Sequence, residues 1–196
     1  MKQLVLVHTG ITEYDKQGRI QGTLDVPLSK VGRDQIEAIT QELAPLGATN
    51  LFTSPGQASV QTSEILSAAL SLKVRPLDKL TNINYGLWQG MLVEDVKLKQ
   101  PKVFRKWQEQ PATVCPPEGE TIPKITDRVA EVMTKITKKV KPDSTTLLVA
   151  PAPLASIVRH VVTGADLGNL WQSFEAAGSW EIFPLDKPVK VEIGGP

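Results

Sequence analysis

The chain has 196 residues, 41% hydrophobic and 22% charged, with 22 basic and 21 acidic side chains and a net charge of +1. That length suffices for one ordinary core and is short for two, and the composition excludes disordered and membrane-spanning classes. The charge balance offers no general attraction to nucleic acid or anionic lipid, and Cys115, alone, leaves no intrachain disulfide, so a cytoplasmic protein is expected.

Along the chain, apolar strands alternate with helical patterns. Gln3 to His8 reads as a buried strand. Ser29 caps a helix running to about Leu46, with Val31, Ile36, Ile39, Leu43 and Leu46 on its inner face. A short strand around Asn50 to Ser54 leads to a helix from about Gln57 to Leu70. The stretch from Asn82 to Pro117 is irregular and reads as an insertion of short helices and loops. After Thr121 a helix carries Ile125, Val129, Val132, Met133, Ile136 and Val140 inward, and it closes on Lys135, Lys138, Lys139 and Lys141. Cations suit a helix C-terminus, and no aromatics interleave these lysines, so a solvated helix end is expected there and not a nucleic-acid patch. Thr145 to Ala150 is a continuous apolar strand, Pro153 to about Thr163 a helix, and Trp180 to Phe183 a late strand before a tail from about residue 185 to 196.

This order predicts one α/β domain over residues 1–196, in three layers α/β/α, with a mostly parallel central sheet. Sites in such folds lie beyond the carboxyl ends of the strands. The exits His8-Thr9-Gly10, Thr53-Ser54-Pro55 and Ala150-Pro151-Ala152 should therefore converge on one pocket.

Five motifs, in one order, carry a resemblance. Gly10 follows the first strand. Gln21-Gly22, Asp25, Pro27-Leu28, Gly32 and Gln35 form a second run, and Ser54-Pro55, Gln61-Thr62 and Glu64 a third. Tyr85-Gly86-Leu87-Trp88-Gln89-Gly90 and Pro116-Pro117-Glu118-Gly119-Glu120-Thr121 complete the set. From Leu4 to about Phe183 the chain resembles the histidine phosphatase superfamily, the clan of cofactor-dependent phosphoglycerate mutases and related phosphatases. The resemblance implies a phosphoglycerate mutase-like fold and a phosphate pocket at the strand ends.

The positions to which the resemblance assigns chemistry depart from the family pattern. The first-motif arginine is His8, and the histidine that takes up the phosphoryl group is Thr9. The second-motif arginine is Ala58, the acid ahead of the Tyr85 motif falls on Asn82, and the second pocket histidine is Pro151. A phosphate dianion entering a pocket must exchange its hydration for donors and positive charge. Each charge-assisted hydrogen bond contributes about 1.5–3 kcal/mol, so two missing arginines remove several. Loss of a nucleophile alone costs on the order of 10⁶ in rate.

The expectation is thus a non-catalytic protein of this fold, with degenerate positions His8, Thr9, Ala58, Asn82 and Pro151. Its pocket would be lined by His8, Thr9, Gly10, Asp15, Gln21, Gly22, Asn82 and Pro151, and would take a small ligand or protein partner. No cofactor and no metal are expected, and self-association is compatible with the reading. The alternative is a phosphatase or phosphomutase of the same family with unorthodox or weak activity through Thr9 or His8. The remaining candidates have plainer readings. His8 fills space left by the arginine, His160 sits inside a helix, Arg19 is an exposed loop residue, Glu120 works with Thr121 at a helix start, and Cys115 has no neighbouring base.

Overall fold

The computed structural model describes residues 1–185. In chain order the elements are β1 (Gln3–His8), α1 (Glu13–Lys16), α2 (Lys30–Leu43), β2 (Ala48–Thr53), α3 (Gln57–Leu70) and β3 (Val74–Pro76). They continue with α4 (Val93–Lys99), α5 (Pro101–Glu109), α6 (Ile122–Lys139), β4 (Thr145–Ala150), α7 (Ala152–Thr163) and β5 (Trp180–Pro184). Five strands form one sheet in the order β3-β2-β4-β1-β5. All neighbours run parallel except β5, which pairs antiparallel with β1. The expected three-layer α/β fold with a mostly parallel sheet is present. Of the expected tail, everything past Leu185 lies outside the described residues.

Strand periodicity sorts the core into two layers. Val5, Val7, Leu51, Leu147 and Val149 face α2 and α3, where Ile36, Leu43 and Leu66 meet them. Leu4, Leu6, Leu148 and Ala150 face the opposite way, against Val129 and Met133 of α6 and Leu154 and Val158 of α7. Every residue of β4 is buried, as a central parallel strand requires. Each buried Leu or Val among them contributes about 1.5–3 kcal/mol by leaving water.

Helix starts follow their caps. The Ser29 hydroxyl accepts from the Gly32 N–H at 3.0 Å and so begins α2. Val31 departs from the expected inner stripe: at 49% exposure it lies on the outer side of the first turn, and Gly32 takes the inward position. The α-helix ends at Leu43, and Ala44–Leu46 tightens into a 3₁₀ turn. Two short elements, α1 and β3, were not expected. The segment expected as an insertion is α4, α5 and 3₁₀ turns, anchored by aromatics. Tyr85 and Trp107 meet at 5.6 Å between ring centroids, and Trp88 and Trp171 at 5.8 Å.

Two glycines fix the strand end. A Cβ on Gly10 would stand 2.2 Å from the carbonyl oxygen of Gly32, and one on Gly32 would stand 2.2 Å from that of Ile11. The chain after β1 therefore crosses the first turn of α2 backbone to backbone, and only glycine permits the approach.

Candidate functional site

The three strand exits meet. The Thr9 N–H donates to the Ala150 carbonyl at 3.2 Å, and the Ser54 N–H to that of Val149 at 2.9 Å. Above them lies a cleft with two lobes. The first is lined by Thr9, Asp15, Arg19, Ile20, Tyr85, Ala152, Trp171 and Phe174 among others. The second is lined by Asp25, Ser54, Ala58, Ser59 and Thr81 among others. Gln21, Gly22, Asn82 and Pro151 belong to both and form the wall between them.

Of the residues expected around one pocket, Thr9, Asp15, Gln21, Gly22, Asn82 and Pro151 meet at the cleft. His8 and Gly10 are not on its wall. His8 shares the strand face of Leu4 and Leu6 and points under the site, where it is 4% exposed. Its Nε2 lies 3.0 Å from Glu181 Oε1, and Glu181 Oε2 lies 3.8 Å from the Arg159 guanidinium. Burial pushes the His8 pKa below 6.5, against the pull of the Glu181 hydrogen bond. Gly10 contributes backbone to the α2 crossing and no surface. Ala58 lies in the second lobe, apart from Thr9.

Arg19 also corrects its sequence reading. It is half-buried and lines the first lobe. Its Nη1 donates to the Gly90 carbonyl at 2.7 Å and its Nε to Gln17 at 2.9 Å, so its fork is held at the cleft. The partner at Gly90 lies 71 residues away, which is why local sequence gave no warning. Asp15 belongs to α1, where Thr12 and Asp15 cap one another. The Thr12 N–H and hydroxyl both donate to Oδ2, at 2.8 and 2.6 Å. Burial raises the Asp15 pKa above its ordinary value, although these two bonds pull it down.

Asn82 is a structural member of the shared wall. Its amide donates to the Gly22 carbonyl at 2.9 Å and its oxygen accepts from the Ile83 N–H at 2.8 Å. Arg128 holds the same turn, donating to the carbonyls of Lys79 and Thr81 at 2.8 and 2.7 Å while pairing with Glu120 at 3.0 Å. Glu120 thus serves the turn before Asn82, and Thr121 alone supplies the side-chain cap of α6. The aromatic wall of Tyr85, Trp171 and Phe174 went unread in the sequence. Its one local signal was two large apolar residues, three apart, in the polar stretch after Gly168. Among the described residues no group of His, Cys, Asp and Glu is arranged to hold a metal ion, and no helix is long and apolar enough to cross a membrane.

Residues 4–187 match the histidine phosphatase superfamily (branch 1), and the chain belongs to that family. Phosphoserine phosphatase 1 of Hydrogenobacter thermophilus is 30% identical over 87% of this chain and 81% of its own. A glucosyl-3-phosphoglycerate phosphatase of Mycolicibacterium vanbaalenii is 28% identical over 92% and 83%. Among solved structures, a mycobacterial glucosyl-3-phosphoglycerate phosphatase in complex with VO3 superposes with a TM-score of 0.79 at 25% identity, covering 87% and 86% of the two chains. These findings overturn the expectation of a non-catalytic protein. Relatives matched over most of their length are phosphatases, so family and homologues point to phosphatase or phosphomutase activity. The substituted positions bear on how such chemistry would be done.

Proposed function

We propose that the chain is a slow phosphomonoester hydrolase whose working groups are Thr9, Asp15 and Arg19. The observation that carries this reading is that all three line one lobe of the strand-end cleft in a chain whose relatives are phosphatases. Thr9 stands at the strand end, with its hydroxyl available as a donor to a phosphate oxygen. Arg19 brings the positive charge that Ala58 does not, and with Nη1 and Nε held by Gly90 and Gln17 its Nη2 is the end left to donate to a phosphate oxygen. Asp15 takes a proton from water as the water oxygen attacks phosphorus. The P–O bond to the leaving group breaks, the leaving oxygen takes its proton from solvent water, and Asp15 returns the proton it took to solvent. A carboxylate whose pKa burial raises is a better match for that transfer than an ordinary one. His8 takes no part, since its ring lies beneath the site against Glu181.

The test is hydrolysis of a generic aryl phosphate by the full chain, beside Asp15→Asn and Thr9→Ala proteins. General-base loss should lower kcat by roughly 10²–10⁴, and wild-type activity should rise with pH as Asp15 ionises. No phosphoryl adduct should appear in the intact mass during turnover. Equal rates in wild type and Asp15→Asn would overturn the assignment, and an adduct on Thr9 would make the threonine a nucleophile instead.

A further inference from the structure

The geometry points to a substrate preference: the first lobe is built for a phosphomonoester whose leaving group is a planar aromatic ring, not a sugar or a small polyol. This rests on the phosphatase reading for the position of the ester end and on separate observations for the rest.

The first observation is the wall itself. Beyond Thr9, Asp15 and Arg19 the lobe is faced by Tyr85, Leu170, Trp171, Phe174 and Pro153. The other polar side chains of its lining, Gln21, Asn82 and Ser173, already bond within the protein, to Thr12, Gly22 and Leu170, so the pocket orients a ligand by few polar contacts and holds the remainder by apolar area. A polyol placed there would lose hydration along its length without regaining donors or acceptors.

The second observation is that this wall is fixed. Trp171 lies face to face with Phe104 at 5.1 Å between centroids, with 9° between the rings. It also lies near-parallel to Tyr85 at 6.4 Å, and its Nε1 donates to the Phe104 carbonyl at 3.3 Å. A wall held by stacking and a hydrogen bond keeps its shape when empty, so binding carries little ordering cost. The third observation is Phe174. It remains 38% exposed, on the 3₁₀ turn Leu170–Ala176, and it lines the lobe. An aromatic left in water at the mouth of a cleft is explained by what it covers when the cleft is filled.

The substitutions act in the same direction. Ala58 and Pro151 stand where the family resemblance expects an arginine and a histidine, so the cleft has exchanged charge for apolar surface.

The experiment measures binding by calorimetry for 1-naphthyl phosphate and glycerol 1-phosphate, with turnover of each followed in parallel. The naphthyl ester should bind roughly 10- to 100-fold more tightly, the effect of withdrawing a bicyclic ring from water. Phe174→Ala and Phe174→Asp should narrow that gap several-fold. Leu98→Ala, which removes another exposed side chain (76%) away from the cleft, should leave it unchanged. Melting curves establish that each variant is folded. Equal affinities, no binding of either ester at millimolar concentration, or a gap untouched by both Phe174 variants would overturn the preference. Tight naphthyl binding without turnover would sink the hydrolase reading and leave this one standing. Turnover of both esters with equal KM would do the reverse.

Discussion

The two lobes of the cleft share a wall and differ in kind. The first holds Arg19, an Asp15 carboxyl raised by burial, and a fixed aromatic face. The second lacks both a cation and an aromatic face. Its charged group among the described lining residues is Asp25, whose carboxylate already accepts from the Gln57 N–H at 2.7 Å at the start of α3. Beside it the Ser54 hydroxyl is buried without a hydrogen-bond partner. An anion gains a cation in the first lobe and meets a carboxylate in the second. The contrast shows how a strand-end pocket can keep its walls while the centre of charge moves from one side to the other.

Removing the cation is the sharpest way to break this comparison. Arg19→Ala should weaken binding of vanadate or an aryl phosphate by roughly 10- to 100-fold, the size of one charge-assisted contact. Arg19→Lys should recover part of it, since charge returns but the guanidinium held in place by Gly90 and Gln17 does not. If Arg19→Ala binds as wild type does, the phosphate end is elsewhere.

Adding a cation to the second lobe tests the same contrast from the other side. Ala58→Arg should raise vanadate affinity by about 10-fold, less than Arg19→Ala removes, because Asp25 is close by to compete for the new guanidinium. Titration by melting point reads it, and an unchanged melting curve with millimolar vanadate would mean that the second lobe does not open onto the anion.

The smallest effect concerns His8, buried against Glu181. Its folded-state pKa is held down by burial, so the folded protein binds its proton less readily than the unfolded chain does. Stability from this residue is present above pH 6.5 and is lost as pH falls from there through the lower folded value. In His8→Gln that part of the acid slope should vanish, a difference of about 1–4 °C in Tm across the window. A melting profile with the same acid slope in both proteins would show that His8 does not titrate in folding. Asp15 acts with the opposite sign: its raised pKa removes stability as pH climbs through it.

The strands and long helices were legible because burial writes a period into them. Leu147-Leu148-Val149-Ala150 is apolar on both faces because β4 is covered on both, and the α6 stripe recurs every three or four residues because one side meets the sheet. β3 escaped because three residues of Val-Arg-Pro carry no period, and α1 because four residues make a single turn. The site was read in part. Residues that follow the strands could be placed by where the strands end. His8 could not be placed by neighbourhood alone, yet its parity with Leu4 and Leu6 does set it on the lower face. Arg19 and the Trp171 wall depend on contacts made across the fold, to Gly90 and Phe104, and no local pattern carries them. The expectation of lost activity went wrong at another level, by treating one set of side chains as the only means to a reaction.

The crossing of Gly10 over Gly32 has a consequence for how such a protein can change over generations. Where Thr9 stands is dictated by two backbones in contact, not by the hydrogen bonds or bulk of the side chain at position 9. The strand end would stay in place through any sequence of replacements there, and new chemistry could be sampled without first finding a new shape. The pair of glycines is then the least replaceable element of the site and takes no part in its reaction. Substituting either by alanine should cost the fold more than any exchange among the residues that line the cleft.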